Sequence, residues 1–282
     1  MSDKLINGKS HANQILEETK VAVSALTSAG RRPPCLAVVL VGDDPASAIY
    51  VGSKKRTCDE VGIISQEHIL PASATEAELF ALVDRLNNDK NVDGILVQSP
   101  LPRGMDEGAV FRAIDPSKDV DGFHPHNAGL LAMGRAALRP CTPAGVIELL
   151  RREGVDMNGA DCVVIGRSNI VGKPAALLML QENATVSICH SRTKNLADLT
   201  RRADILIAAV GRAHFVTPDM VKNGVVIIDV GINRTPGSKK IHGDVDPLCI
   251  DKAALMTPVP GGVGPMTVAM LMNNCLEAYN AR

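Results

Sequence analysis

The stretch Cys162-Val-Val-Ile-Gly-Arg-Ser-Asn-Ile-Val-Gly-Lys-Pro174 has the residue types and order of a phosphate cradle. A β-branched run stops at Gly166, a polar turn follows, and Gly172-Lys-Pro174 opens a helical pattern that reaches Leu180. A strand leading through a glycine-containing turn into a helix presents unpaired backbone N–H groups to an anion. The three-glycine fingerprint is incomplete: Ser168 stands at its second position, and the third glycine falls one residue late, at Gly172. Taken alone, the turn is equally an ordinary strand-to-helix connection. The next strand-like run, Thr185–Cys189, ends in His190-Ser191-Arg192. An NAD site would place an acid there to hold the ribose 2′-hydroxyl. This chain offers a hydroxyl and a guanidinium instead, with Arg167 available from the first turn. Arginine forks suit a phosphate dianion that a carboxylate would repel. Gly166, Arg167, Ser168, Ser191 and Arg192 therefore read as an NADP site, although either arginine alone would pass for a solvated surface charge.

A second group of residues lies nearer the start of the chain. The apolar run Leu36–Val41 gives way to Gly42-Asp-Asp-Pro45, a turn that caps a helix predicted from Pro45 to Val61. On that helix Ser47, Tyr50 and Lys54 stand at i, i+3 and i+7 and share a face, with the ring directly beside the amine. A surface lysine whose stem packs on a tyrosine would look the same. Location favours function, because ligands of open α/β sheets bind outside the carboxyl ends of the strands, where this helix begins. The strand Val92–Val97 delivers Gln98 to the same edge. Asp119 and Asp121, with His124 and His126, invite comparison with a metal site, but two carboxylates and two unmatched histidines lack a ligand spacing, and no metal is assigned. Gly231-Ile232-Asn233 leaves another strand end, near where a nicotinamide would lie. Pro258 to Thr267 is too rich in glycine and proline to be other than a shaped loop, and Pro260, Gly261 and Gly262 would let a flat ligand approach the backbone.

These residues need elements to hold them. A chain of 282 residues allows two domains of ordinary size. Apolar runs alternate with helical patterns throughout, the mark of an α/β fold with parallel sheets. The expected architecture is an N-terminal α/β domain over 1–140 with a mostly parallel sheet, and a Rossmann-type doubly wound domain over 141–265, with the active-site cleft between them. A closing helix over 266–282 is expected to pack back on the first domain. Ser10 is the expected cap of the first helix, and Thr142 of the helix that opens the second domain. Aromatics make up only 2% of the residues, so Val, Ile, Leu, Ala and Met must fill the cores. A formal net charge of −1 gives no electrostatic case for a nucleic-acid or anionic-membrane partner. Seven cysteines, an odd count without a C-x-x-C pair, point to reduced thiols and a cytoplasmic location. The N-terminus has no apolar leader, and no run approaches membrane-spanning length.

The motifs, taken together, resemble the bifunctional methylenetetrahydrofolate dehydrogenase / methenyltetrahydrofolate cyclohydrolase family. The matching residues are Ser47-x-x-Tyr50-x-x-x-Lys54, Val97-Gln98-x-Pro-Leu-Pro102, Asp119-Val-Asp-Gly-Phe123, Cys141-Thr-Pro-x-Gly145, Gly166-Arg-Ser-x-Ile-Val-Gly-x-Pro174, His190-Ser-x-Thr193, Asp229-Val-Gly-Ile-Asn233 and Pro258 to Thr267. Ser99 departs from the family's usual leucine. The resemblance implies a catalytic Lys54, hydrogen-bonded by Gln98, with Tyr50 stacking on a reduced folate and Asp121 binding its pterin ring. It implies that Gly166, Arg167, Ser168, Ser191 and Ile232 contact NADP, and that the protein is a homodimer. An NADP-dependent oxidoreductase of a hydroxy acid would also use Lys54 and Asp121, without needing Tyr50 as a platform. A non-enzymatic NADP-binding module would need none of Ser47, Tyr50, Lys54, Gln98 and Asp121 at one edge.

Overall fold

The computed structural model describes residues 3–135, 137–235 and 240–282, with positions 45, 46 and 48 described by backbone only. The chain forms two compact units. One, the Lys54 unit, comprises Gln14–Cys141 with Val268–Arg282; the other, the Gly166 unit, comprises the residues up to Asn13 with Thr142–Thr267.

In the Lys54 unit, β1 (Cys35–Val41) lies between β2 (Ile64–Leu70) and β3 (Gly94–Val97), all parallel. Every residue of β1 is buried, as expected for a central strand covered on both faces. Its side chains alternate strictly: Leu36, Val38 and Leu40 join one cluster, and Cys35, Ala37, Val39 and Val41 the other. The first cluster takes Val51, Cys58 and Val61 from α2 (Pro45–Val61), together with Leu271, Met272, Cys275 and Leu276 from α9 (Val263–Asn280). The second takes Leu79, Leu82, Val83 and Leu86 from α3 (Glu76–Asn88), whose start is fixed by a capping box between Thr75 and Glu78. On the far side of β3 a parallel bridge from Ile95 to Asp119 continues the sheet.

In the Gly166 unit, five parallel strands stand in the order β10-β7-β6-β4-β5, from β4 (Asp161–Ile165), β5 (Thr185–Cys189), β6 (Ile205–Ala208), β7 (Val226–Asp229) and β10 (Leu255–Met256). Counted within the sheet, the order is 2-1-3-4-5, so winding reverses beside β4 and leaves a switch point between β4 and β6. Beyond β7, a two-stranded hairpin is made by β8 (Asn233–Arg234) and β9 (Ile241–His242).

Three local expectations are corrected. Helix α1 (Gly8–Ser28) begins before Ser10, and the Asn7 side chain accepts the Ser10 N–H at 3.0 Å. Helix α6 (Cys141–Arg152) already contains Thr142, whose hydroxyl pairs with that of Thr267 at 2.9 Å instead of capping. The residues up to Asn13 cluster with the Gly166 unit because Leu5 bridges Met256, with Ile6 N donating to Met256 O and Met256 N to Lys4 O. This backbone pairing carries no side-chain pattern that a sequence could display. Sequence reading also missed α5 (Pro125–Ala132), which is capped by the His124 ring through the His126 N–H.

Candidate active site

In the Lys54 unit the carboxyl edge of the sheet collects the lysine and its neighbours. Asp44 caps α2, accepting both the Ser47 N–H and the Ser47 hydroxyl at 2.8 Å. Ser47 is thereby buried and turned toward its own cap, while Tyr50, one turn later, is 42% exposed and presents its ring outward. Lys54 follows on the same face. Its Nζ donates to Gln98 Oε1 at 2.8 Å, and the Gln98 amide donates to Ser99 O at 2.6 Å. The second bond fixes which end of Gln98 faces the lysine, because a carbonyl can only accept.

Burial pulls the Lys54 ammonium below the ordinary lysine range, and the negative charge of Asp121 opposes that shift. Burial likewise raises the Asp121 carboxyl to about 6, against the attraction of Lys54 and with repulsion from Asp119. The two shifts run toward each other, the amine downward and the carboxyl upward, as is common where groups take part in proton transfer. Asp119 has a different task. Its carboxylate accepts the backbone N–H groups of Phe123 and His124 and the Asn127 amide, holding the chain that follows Asp121. Among the described residues no group of three or more His, Cys, Asp or Glu could hold a metal ion.

In the Gly166 unit, β4 and β6 open at the switch point onto the glycine turn. Gly166 has φ +129°, and a Cβ there would overlap Ala209 O at the end of β6. A Cβ on Gly172, the first residue of α7 (Gly172–Gln181), would overlap Gly166 O. Both positions demand glycine, Gly166 because the end of β6 closes on it and Gly172 because the turn folds back onto its own start. The Ser168 hydroxyl accepts the Val171 and Gly172 N–H groups at 3.2 and 3.3 Å, tightening the start of the helix. Beyond β5, His190 N–H donates to Thr193 Oγ1 and Arg192 N–H to His190 Nδ1, a small turn that exposes Ser191 and Arg192. Arg167 and Ile232 are exposed as well. This arrangement fits a dinucleotide: a cradle closed to side chains, a helix N-terminus, and two guanidiniums on adjacent loops. The Pro260-Gly261-Gly262 loop precedes α9; Gly261 has φ +102°, and a Cβ on Gly262 would crowd Pro258 O at 2.6 Å.

Two buried carboxylates that sequence reading passed over organise this unit. Asp229 accepts the N–H groups of Gly231, Asp244 and Val245, and burial raises it to about 6. Asp244 accepts the consecutive N–H groups of Val210, Gly211 and Arg212 and the Asn233 amide. An aspartate inside a Gly-x-x turn carries no signal of this in sequence. In the Lys54 unit Asn274 was missed too; the pair Asn273-Asn274 interrupts the apolar run Leu271–Leu276, but the sequence does not say which of the two amides is buried.

A doubly wound NAD(P)-type unit, with an amine–amide–carboxyl constellation in the accompanying α/β unit, defines a two-unit nucleotide-dependent oxidoreductase class. Family models for the tetrahydrofolate dehydrogenase/cyclohydrolase catalytic domain and its NAD(P)-binding domain match residues 6–121 and 140–282. The bifunctional protein FolD of Lachnoclostridium phytofermentans is 54% identical over 99% of this chain and 98% of its own length. The structure of bifunctional FolD from Campylobacter jejuni superposes with a TM-score of 0.96 at 48% identity, covering 99% of both chains. That of the Trypanosoma brucei methylenetetrahydrofolate dehydrogenase-cyclohydrolase, in complex with NADP and an inhibitor, gives 0.93 at 36% identity over 98% of this chain and 97% of its own. The chain belongs to the tetrahydrofolate dehydrogenase/cyclohydrolase family.

Proposed function

We propose that the protein oxidises 5,10-methylenetetrahydrofolate to 5,10-methenyltetrahydrofolate with NADP⁺ and hydrolyses the product to 10-formyltetrahydrofolate. The observation that carries this reading is the Lys54–Gln98 hydrogen bond beside Asp121, in the part of the chain matched to the catalytic domain. The bound nicotinamide supplies the hydride acceptor for the first step. That step asks the protein mainly for positioning: Tyr50 as a stacking platform, Asp121 toward the pterin, and Pro260, Gly261 and Gly262 as backbone that a flat substrate can approach. The second step needs proton transfer. Water adds to the cationic methenyl carbon, its proton passes to neutral Lys54, and the resulting ammonium returns a proton to the ring nitrogen as its bond to carbon breaks. Gln98 suits this cycle because a neutral amide orients the amine without the strong stabilisation of ammonium that a carboxylate would give.

For the cofactor, Gly166, Arg167 and Ser168 would hold the phosphates, Ser191 and Arg192 would recognise the 2′-phosphate, and Ile232 would contact the nicotinamide end. The working form is a cytoplasmic homodimer. No helix among the described residues is long and apolar enough to cross a membrane. The decisive experiment is a spectrophotometric assay with 5,10-methylenetetrahydrofolate, run in parallel with NADP⁺ and NAD⁺. Reduction preferring NADP⁺, followed by decay of the methenyl absorbance faster than in buffer, establishes both activities; no reduction with either cofactor removes the folate reading.

A further inference from the structure

The carboxyl of Asp121 is aimed by its backbone, which lies in a turn where Val120 N donates to Lys118 O and Gly122 N to Asp119 O. Val120 and Gly122 flank it. Gly122 has φ +71° and lies so close to the Arg139–Pro140 peptide that a Cβ would stand 2.5 Å from its carbon and nitrogen. The loop carrying Asp121 is therefore stacked on the segment that leads into α6. Both segments direct a carbonyl at one side chain. Asn274, on α9 and 2% exposed, donates one amide proton to Val120 O and the other to Arg139 O, each at 2.8 Å. The Cys141 thiol adds a donation to Val120 O at 3.3 Å, and the Asn274 amide also lies 3.5 Å from Cys141 Sγ. Since both carbonyls are obligate acceptors, the amide can take only this orientation. Val120, Cys141 and the α9 residues Leu271, Met272 and Cys275 all belong to the buried core of this unit, so loss of the amide would leave the Val120 and Arg139 carbonyls short of a donor.

We infer that Asn274 is a positioning residue for the reaction: its amide clamps the Asp121 loop to the Arg139–Cys141 segment and so sets the angle at which the carboxyl meets the substrate's ring. The inference rests on Asp121 being the ring-binding carboxylate, as proposed above. A carboxylate that must form directed hydrogen bonds to a flat heterocycle tolerates little rotation of its backbone, and displacements of an ångström in a positioning element are felt in catalysis. The clamp comes from the end of the chain, some 150 residues from the loop it holds.

The test compares three variants of the full-length protein in the dehydrogenase assay. Asn274→Ala is expected to raise KM for 5,10-methylenetetrahydrofolate about tenfold and leave KM for NADP⁺ within about twofold of its starting value. Tyr279→Phe is the matched control, since the Tyr279 hydroxyl donates to Arg32 O at 2.8 Å from the same helix. It loses a hydrogen bond of α9 without touching the loop, and its folate KM should stay put. Adding Asn274→Ala to Asp121→Asn should then change folate KM by less than about twofold, because the clamp acts only through the carboxyl it aims. The inference is overturned if Asn274→Ala matches Tyr279→Phe in folate KM, or if its effect is undiminished in the Asp121→Asn background. Should Asp121→Asn itself leave folate KM unaltered, the assignment of Asp121 fails, and this inference with it, while the remaining site assignments stand. If Asn274→Ala does not fold, Cys141→Ala removes the thiol donor from the same carbonyl; folate KM raised at least about twofold with NADP⁺ KM unmoved supports the clamp, and an unchanged folate KM overturns it.

Discussion

Lys54 and Gln98 are joined by a 2.8 Å hydrogen bond in which the amine is the donor and a neutral amide the acceptor. The partner's neutrality matters as much as its distance. Burial lowers the amine from the ordinary lysine range, and the opposing influences, Asp121 first and then Cys141 and Cys58, act without a charged partner on the hydrogen bond itself.

Lys54→Met removes that proton carrier while preserving the apolar stem. The cyclohydrolase rate should fall by about 10²–10⁴-fold, the range ascribed to general acid–base catalysis. NADP⁺ binding, measured by titration of the free enzyme, should be unchanged. Hydrolysis at near wild-type rate would end the assignment of Lys54.

Gln98→Glu keeps the shape and changes the charge. A carboxylate at this distance stabilises the ammonium, so the limb of the cyclohydrolase pH–rate profile that needs neutral lysine should move to higher pH by about one unit or more. Gln98→Ala, which removes the orienting bond without adding charge, should lower the rate without that alkaline displacement. Identical pH profiles for the two variants would refute the electrostatic argument.

Asp121→Asn should weaken folate binding and stabilise the fold. A carboxyl raised from 3.8 to about 6 binds its proton more tightly in the folded than in the unfolded chain, so its contribution favours folding below about pH 4 and is lost as pH rises through about 6. At pH 7.5 the ionised group therefore costs stability, by about 2 kcal/mol once its partly exposed face is allowed for. The asparagine variant should melt higher than the parent at pH 7.5, and the gain should shrink toward zero near pH 4. A variant that melts lower at neutral pH would contradict the direction of the shift.

Arg192→Ala tests cofactor choice. Loss of a charge-assisted contact to the 2′-phosphate should raise KM for NADP⁺ by about ten- to a hundredfold while KM for NAD⁺ stays nearly constant. Equal losses with both cofactors would mean that Arg192 supports the turn and does not read the phosphate.

What sequence made legible were the features that local chemistry dictates. The all-apolar β1, the capping box at Thr75, the turn from Gly166 to Gly172 and the helical register of Tyr50 and Lys54 each follow from spacing within a few residues. The Asp44 cap of the Ser47 helix was legible too, from the turn Gly42-Asp-Asp-Pro45. The amide clamp of Asn274 and the nesting of Asp229 and Asp244 were not, because they depend on partners far off in the chain or on backbone N–H groups, which every residue type but proline supplies alike. The helix starts at Gly8 and Cys141 were misplaced for two different reasons. Ser10 and Thr142 are good caps by type, but Asn7, only three residues earlier, takes the Ser10 N–H, while the Thr142 hydroxyl is paired with the distant Thr267.

The N–H groups of Val210, Gly211 and Arg212 form a concave receptor of the kind that holds anions, and Asp244 already fills it. Under the proposed cofactor site, a dinucleotide laid along the carboxyl edge of that sheet would meet the turn from Gly166 to Gly172 as the seat for its pyrophosphate. The plugged receptor removes the alternative seat one strand over. Under that same proposal the cofactor has a fixed reading frame on the sheet, set as much by the seat that is filled as by the one that is offered.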